Sequence, residues 1–285
     1  MPMSIFDGFE KKHDYLICVD SDGCVMDTMN CKHFHCFGPR MVDEWALDAW
    51  REPILKRWNE INLFSMTRGI NRFKGLALAL TEIDQTYTPI PGVQALAHWA
   101  ETAPALSNAA VEQAAKEAAD PDAKLALTKA LNWSKAVNAS IVELPESEKI
   151  PFPGAKEGLA AAHQFADVAM VSSANRDAVE EEWGKFGLLD HTDIVLAQDV
   201  GSKAACIAAM LRFGYAPDKV LMIGDAPGDG DAADKNRVFY YPILVNHEEE
   251  SWQEAITTAY PKLRSGDYAG YAQQKRQQFL HNLGG

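Results

Sequence analysis

Tyr15-Leu16-Ile17-Cys18-Val19-Asp20-Ser21-Asp22-Gly23 sets an unbroken apolar run directly before two carboxylates and a glycine. A run of this length without polar alternation suits a strand buried on both faces, as in a parallel sheet. The runs Val168–Val171, Ile194–Ala197, Val220–Ile223 and Val238–Val245 share its character. Between the later runs lie helical patterns at Ala155–Phe165, Ala178–Phe186 and Lys203–Arg212. Strand and helix therefore alternate from about residue 150 onward. That order predicts a Rossmann-like α/β fold, an open parallel sheet built from βαβ units with helices on both faces.

Residues 28–148 read differently. Long helical patterns, many alanines and Trp45, Trp50, Trp58, Trp99 and Trp133 fill the segment, and no run resembles a strand. Val111–Val142 is rich in helix formers and breaks once, at Asp120-Pro121, where a helix must end or kink. The segment is expected to be an all-α domain inserted after the first strand, with its Trp and Leu residues as core. Residues 1–27 and 149–285 then form one discontinuous α/β domain. Gly266–Gly285 is expected to add a terminal amphipathic helix with Lys275 and Arg276 on a solvated face.

The 285 residues carry 27 Lys and Arg against 40 Asp and Glu, a formal net charge of −13. Such a surface disfavours nucleic acid and anionic membrane as partners. It does not exclude small anions, because a metal ion or a focused cation can invert the sign inside a cleft. The 5 cysteines, an odd number, argue against a disulfide framework and for a reducing compartment. Residues 1–12 show no secretory signal, and no apolar run is long enough to span a bilayer. The expectation is a cytoplasmic protein, and the sequons at Asn132 and Asn138 are expected to be chance matches.

In open α/β sheets, ligands bind beyond the carboxyl ends of the strands. Asp20 and Asp22 follow the first run, Ser172 and Ser173 the second, and Gly224, Asp225 and Asp229 the fourth. Lys203 opens a helix expected on the same side. Asp20 and Asp225 brought together repel unless a cation sits between them. Hard oxygen donors in small number suit Mg²⁺, which keeps waters and leaves room for a phosphate.

This constellation resembles the haloacid dehalogenase superfamily of phosphohydrolases. The first motif is Asp20-Ser21-Asp22-Gly23-Cys24, with Cys24 where the family usually has Thr; the second is Ser172; the third is Lys203; the fourth is Gly224, Asp225 and Asp229. The helical insert matches the family's type-one cap in position. The resemblance implies Asp20 as nucleophile and Asp22 as general acid and base. It implies Ser172, with Ser173 beside it, and Lys203 as phosphate-binding groups. Asp20, Asp225 and the main-chain carbonyl of Asp22 are the implied Mg²⁺ ligands, with Asp229 in support. An acid at Asp22 favours phosphate esters over carbon–halogen bonds, since a halide leaves without a proton.

Two further stretches carry candidate residues. Cys31-Lys32-His33-Phe34-His35-Cys36 has the composition of a metal site but not the spacing of common zinc sites. As an α-helix it would place Cys31 and His35 on one face, and His33 or His35 is a candidate to line the cleft. Thr67–Lys74 is a basic cluster in an acidic chain, and Arg68 and Arg72 are candidates for substrate selection. The implied activity is a Mg²⁺-dependent phosphatase for a small phosphorylated metabolite, working as a monomer or homodimer. A phosphomutase of the β-phosphoglucomutase kind shares all four motifs. A non-catalytic binding protein on the same fold would lack at least one of these carboxylates, and none is missing.

Overall fold

The computed structural model of the protein describes residues 5–285. Two compact units emerge, Met1–Thr28 with Glu146–Gly285, and Met29–Pro145. In chain order, β1 (Tyr15–Val19) is followed by α1 (Met29–Lys32), α2 (Gly38–Trp45), α3 (Arg51–Leu63), α4 (Arg72–Thr86), α5 (Val93–Thr102), α6 (Asn108–Glu117) and α7 (Pro121–Val142). Then come α8 (Ala155–His163), β2 (Ala166–Val171), α9 (Arg176–Lys185), β3 (Ile194–Leu196), α10 (Lys203–Leu211), β4 (Val220–Gly224), α11 (Pro227–Asn236) and β5 (Phe239–Pro242). The helices α12 (Glu248–Glu254), α13 (Tyr260–Ser265) and α14 (Tyr268–Asn282) close the chain.

The five strands form one parallel sheet in the order β3-β2-β1-β4-β5. Side chains alternate between its faces with period two. Ile17, Val19, Val168, Met170, Leu221 and Ile223 enter one core with Leu159, Trp183 and Trp252. Leu16, Cys18, Ala169, Val171, Val220 and Met222 enter the other with Ile207, Met210 and Phe279. Both faces are thus covered, which is why the strand sequences are apolar throughout. The last strand is shorter than its apolar run. Pro242 removes a ladder donor and the strand ends there, although Ile243 and Val245 stay buried.

The helical unit packs around aromatic rings, with Trp58 and Trp133 edge-on at 6.0 Å and Phe73 against Trp133 at 6.2 Å. Trp50 and Trp99 pack half-buried on the same core. The break between α6 and α7 is built as Asp120-Pro121 requires: the Asp120 carboxylate accepts from the Ala123 N–H at 2.9 Å, and Pro121 opens the helix.

Two local readings are corrected. His33–Phe37 forms a single π-helical turn rather than a continuation of α1. The wider turn buries Cys31 and Cys36 and leaves His35 exposed, so Cys31 and His35 do not share a face. In α14, Lys275 is not on a solvated face but is 3% exposed. It pairs with Glu254 and lies over the rings of Tyr241 and Tyr271 at 5.6 and 5.7 Å. Aromatic rings can hold an ammonium in this way, and hydrophobic periodicity does not register them. Arg276 does reach the surface, where it pairs with Asp234. No helix among the described residues is long and apolar enough to cross a membrane.

Candidate active site

Asp20 stands one residue past β1, and its N–H donates to the Ile223 carbonyl of β4 at 3.0 Å. The chain then coils tightly. The Ser21 carbonyl accepts from the N–H groups of Val25 and Met26, both at 2.9 Å, and Gly23 takes φ of +82°. That left-handed conformation favours glycine. Two indoles brace the turn from below: Trp183 Nε1 donates to Ser21 Oγ at 2.9 Å, and Trp252 Nε1 donates to the Cys24 carbonyl at 3.0 Å. The Thr28 hydroxyl donates to the Asp22 carboxylate in a short hydrogen bond.

From β4, Gly224 leads into Asp225 and then α11, whose first turn carries Asp229. A Cβ at Gly224 would collide with the Asp229 side chain, so the turn accepts no larger residue without rearranging. Asp229 Oδ2 accepts from the Ala226 N–H at 3.1 Å. Lys203, first residue of α10, reaches between the carboxylates: its Nζ lies 2.7 Å from Asp20 Oδ2 and 2.6 Å from Asp229 Oδ1. Ser172, buried at the end of β2, accepts at Oγ from the Ala174 N–H at 3.1 Å, whereas Ser173 is exposed.

Asp20, Asp225 and Asp229 each bring a carboxylate oxygen within 4.8 Å of the others, the one such grouping of metal-type side chains among the described residues. They are 5%, 1% and 0% exposed. Burial pushes the Asp20 carboxyl well above the usual range; Lys203 pulls it down, while Asp229 and Asp225 push it up again. Burial opposes the charge on Lys203, but Asp20 and Asp229 outweigh it and raise its pKa. Three buried carboxyl groups with oxygens within 4.8 Å of one another form a hard-oxygen donor set, and this fits a small divalent cation such as Mg²⁺.

The structure therefore brings together Asp20, Lys203, Asp225 and Asp229. The remaining candidates, His33, Arg68 and Arg72, belong to the helical unit. His33 Nδ1 accepts from Trp58 Nε1 at 3.1 Å, so a neutral His33 carries its proton on Nε2. Arg68 is buried and donates to the Leu63 carbonyl at 2.8 Å. Arg72 opens α4. Sequence reading missed Thr28, Trp183 and Trp252. Thr28 was legible in principle, as the first hydroxyl residue after the tight turn. Trp183 is 162 positions from Ser21, and no local signal marks it.

A family model of haloacid dehalogenase-like hydrolases matches residues 98–241, just over half of the chain, a span that includes Ser172, Lys203, Asp225 and Asp229. The chain belongs to this family. No curated protein sequence matches it. Among solved structures, it is similar to a protein of Lactobacillus delbrueckii subsp. bulgaricus named as a phosphoglycolate phosphatase, at 12% identity and TM-score 0.53, covering 86% of this chain and 99% of that one. It is also similar to one of Thermotoga maritima named as a beta-phosphoglucomutase, at 13% identity and TM-score 0.50, covering 87% and 99%. These likenesses support the fold.

Proposed function

We propose that this hydrolase is a Mg²⁺-dependent phosphatase of a small phosphorylated metabolite, acting through an aspartyl-phosphate. The observation that carries the reading is the Asp20–Lys203–Asp229–Asp225 cluster at the carboxyl edge of the sheet. Mg²⁺ held by Asp20, Asp225 and the Asp22 main-chain carbonyl would offset the negative charges of ester and carboxylates.

Asp20 attacks phosphorus, a carboxylate–phosphorus bond forms, and the ester P–O bond breaks. Asp22 gives its proton to the departing alkoxide. Asp22 then takes a proton from a water that attacks the aspartyl-phosphate, releasing inorganic phosphate and restoring Asp20. The Thr28 hydroxyl, donating to Asp22, orients that carboxylate. Lys203 and Ser172 hold the phosphoryl oxygens, and Asp229 keeps Lys203 aimed. The free, buried cysteines Cys18, Cys24, Cys31, Cys36 and Cys206 support a reducing, cytoplasmic setting.

The test is phosphate release from a metabolite panel with Mg²⁺ and with excess chelator, hexose phosphates included. The expected result is Mg²⁺-dependent release of free phosphate. Full turnover in chelator overturns the metal assignment. Isomerised hexose phosphate without free phosphate replaces the phosphatase with a phosphomutase.

A further inference from the structure

Several arginines of this chain show what a guanidinium does when a carboxylate is within reach. Arg57 turns Nε and Nη2 onto the two oxygens of Glu82, at 2.7 and 2.9 Å. Arg176 grips Asp199 with the same edge, at 2.9 and 3.0 Å. Arg212, Arg237 and Arg264 are instead exposed to water.

Arg72 follows neither pattern. It is partly buried in the helical unit and is held at Nη1 alone: by Asn138 Oδ1 at 2.7 Å, Ser134 Oγ at 3.1 Å and the Ser134 carbonyl at 3.5 Å. Its Cζ lies 5.0 Å from the centroid of the Phe37 ring. Among the described residues no carboxylate pairs with it, and Nε and Nη2 have no hydrogen-bond partner. Ser134 and Asn138, one turn apart on α7, fix the group so that the edge used by Arg57 and Arg176 is left open.

Two features make this arrangement costly without a counter-ion. Arg72 is the first residue of the 15-residue α4, the positive end of its dipole, and the first turn contains no acid. Burial also lowers the guanidinium pKa, the expected response of a cation removed from water without an anion beside it.

We propose that Arg72 is an oxyanion receptor of the helical unit, taking a carboxylate or phosphoryl group side-on at Nε and Nη2 while Ser134 and Asn138 anchor Nη1. Side-on, two-point recognition of a planar or tetrahedral oxyanion is what this fork does best. The anion is either a second acidic group on the substrate or a separate small oxyanion. The first source rests on the phosphatase reading above; the receptor itself does not.

The first experiment uses the full chain and no catalysis. The protein is treated with limiting phenylglyoxal, and each arginine is followed by peptide mass spectrometry, with and without inorganic phosphate or succinate. At ten times the dissociation constant, one of these anions should slow modification of Arg72 about tenfold by mass action, while exposed Arg237 keeps its rate. An Arg72 rate indifferent to both anions overturns the proposal.

The second experiment compares alkyl phosphates with and without a terminal carboxylate on the wild type, Arg72→Lys and Arg72→Gln. A carboxylate preference in KM that falls about tenfold in Arg72→Gln, the loss of one charge-assisted contact, and is partly kept in Arg72→Lys assigns the anion to the substrate. Protection of Arg72 with no carboxylate preference in the wild type assigns it to a separate oxyanion. If no monoester is hydrolysed, the phosphatase reading fails while the protection result still decides Arg72.

Discussion

The carboxyl edge of the sheet and the start of α4 carry buried charge of opposite sign. At the sheet edge, Asp20, Asp225 and Asp229 bring carboxylate oxygens within 4.8 Å of one another, and the Lys203 ammonium bridges Asp20 and Asp229. At Arg72 a guanidinium is held by neutral groups of α7, and positive charge is in excess. A folded chain satisfies most buried charges internally, because an unpaired one is expensive. Close-set carboxylate oxygens and an open guanidinium edge are also what an outside ion can use. The two regions therefore call for different visitors, a divalent cation in one and an oxyanion in the other.

The largest expected effect breaks the chemistry of the first region. Asp20→Asn should reduce turnover to background for every ester. Asp22→Asn should slow an alkyl phosphate by roughly 10²–10⁴, the value of general acid–base catalysis. An ester with an acidic leaving group should instead give a burst followed by slow turnover, with phosphate trapped on Asp20. Equal losses for both ester types, without a burst, would reverse the two assignments.

The next effect sharpens the contrast directly, through denaturant unfolding of metal-free protein. Lys203→Met strips the counter-charge from buried Asp20 and Asp229 and should cost about 3–5 kcal/mol, as removing one partner of a buried pair does. Arg72→Met leaves no carboxylate behind and should cost about 1 kcal/mol or less, the scale of a single net hydrogen bond. Equal costs would erase the distinction between the two regions.

A smaller effect is pH-dependent. Asp193, which precedes β3, differs from Asp20. Burial raises its carboxyl, but the Lys12 ammonium, the Val168 N–H and His163 together hold it below the usual range. Its stabilisation is present above the ordinary carboxylate pKa and is lost as pH falls through the lower folded value. Asp193→Asn should therefore lower the melting temperature at neutral pH, with the difference closing below about pH 4, near the ordinary carboxylate value. A constant difference across that range would show that Asp193 gains nothing from its charge.

The smallest effect comes from Trp183→Phe, which keeps most of the buried ring and removes only the N–H to Ser21 Oγ. It should cost about 1 kcal/mol of stability and lower kcat more than it raises KM. A change in KM alone would mean that the indole does not position the turn after Asp20.

Much of the sheet was legible because burial on both faces writes an uninterrupted apolar run, as at Tyr15–Val19. The polar residues at the strand ends could be read for the same reason, since the fold gathers those ends along one edge. Legibility failed where a partner is distant in sequence or chemically unlike a periodic pattern. Lys275 sits among Tyr241, Tyr271 and Glu254, and helical periodicity treats any lysine as a solvent marker. The π-helical turn at His33–Phe37 shifts the facing of each following residue, and no residue type announces it. The open edge of Arg72 depends on which groups α7 brings to it, a tertiary fact that the basic cluster only hints at.

Trp252 lies on α12, beyond the last strand, yet its indole donates to the Cys24 carbonyl in the first motif and packs so closely on Gly158 that a Cβ there would strike the ring. A gene trimmed to end after Pro242 would still encode every residue of the four motifs. A motif inventory would score it complete, but the turn after Asp20 would have lost the strut beneath Cys24. For anyone defining a minimal catalytic fragment or choosing a fusion point, the boundary belongs after α12, however unremarkable that helix looks as text.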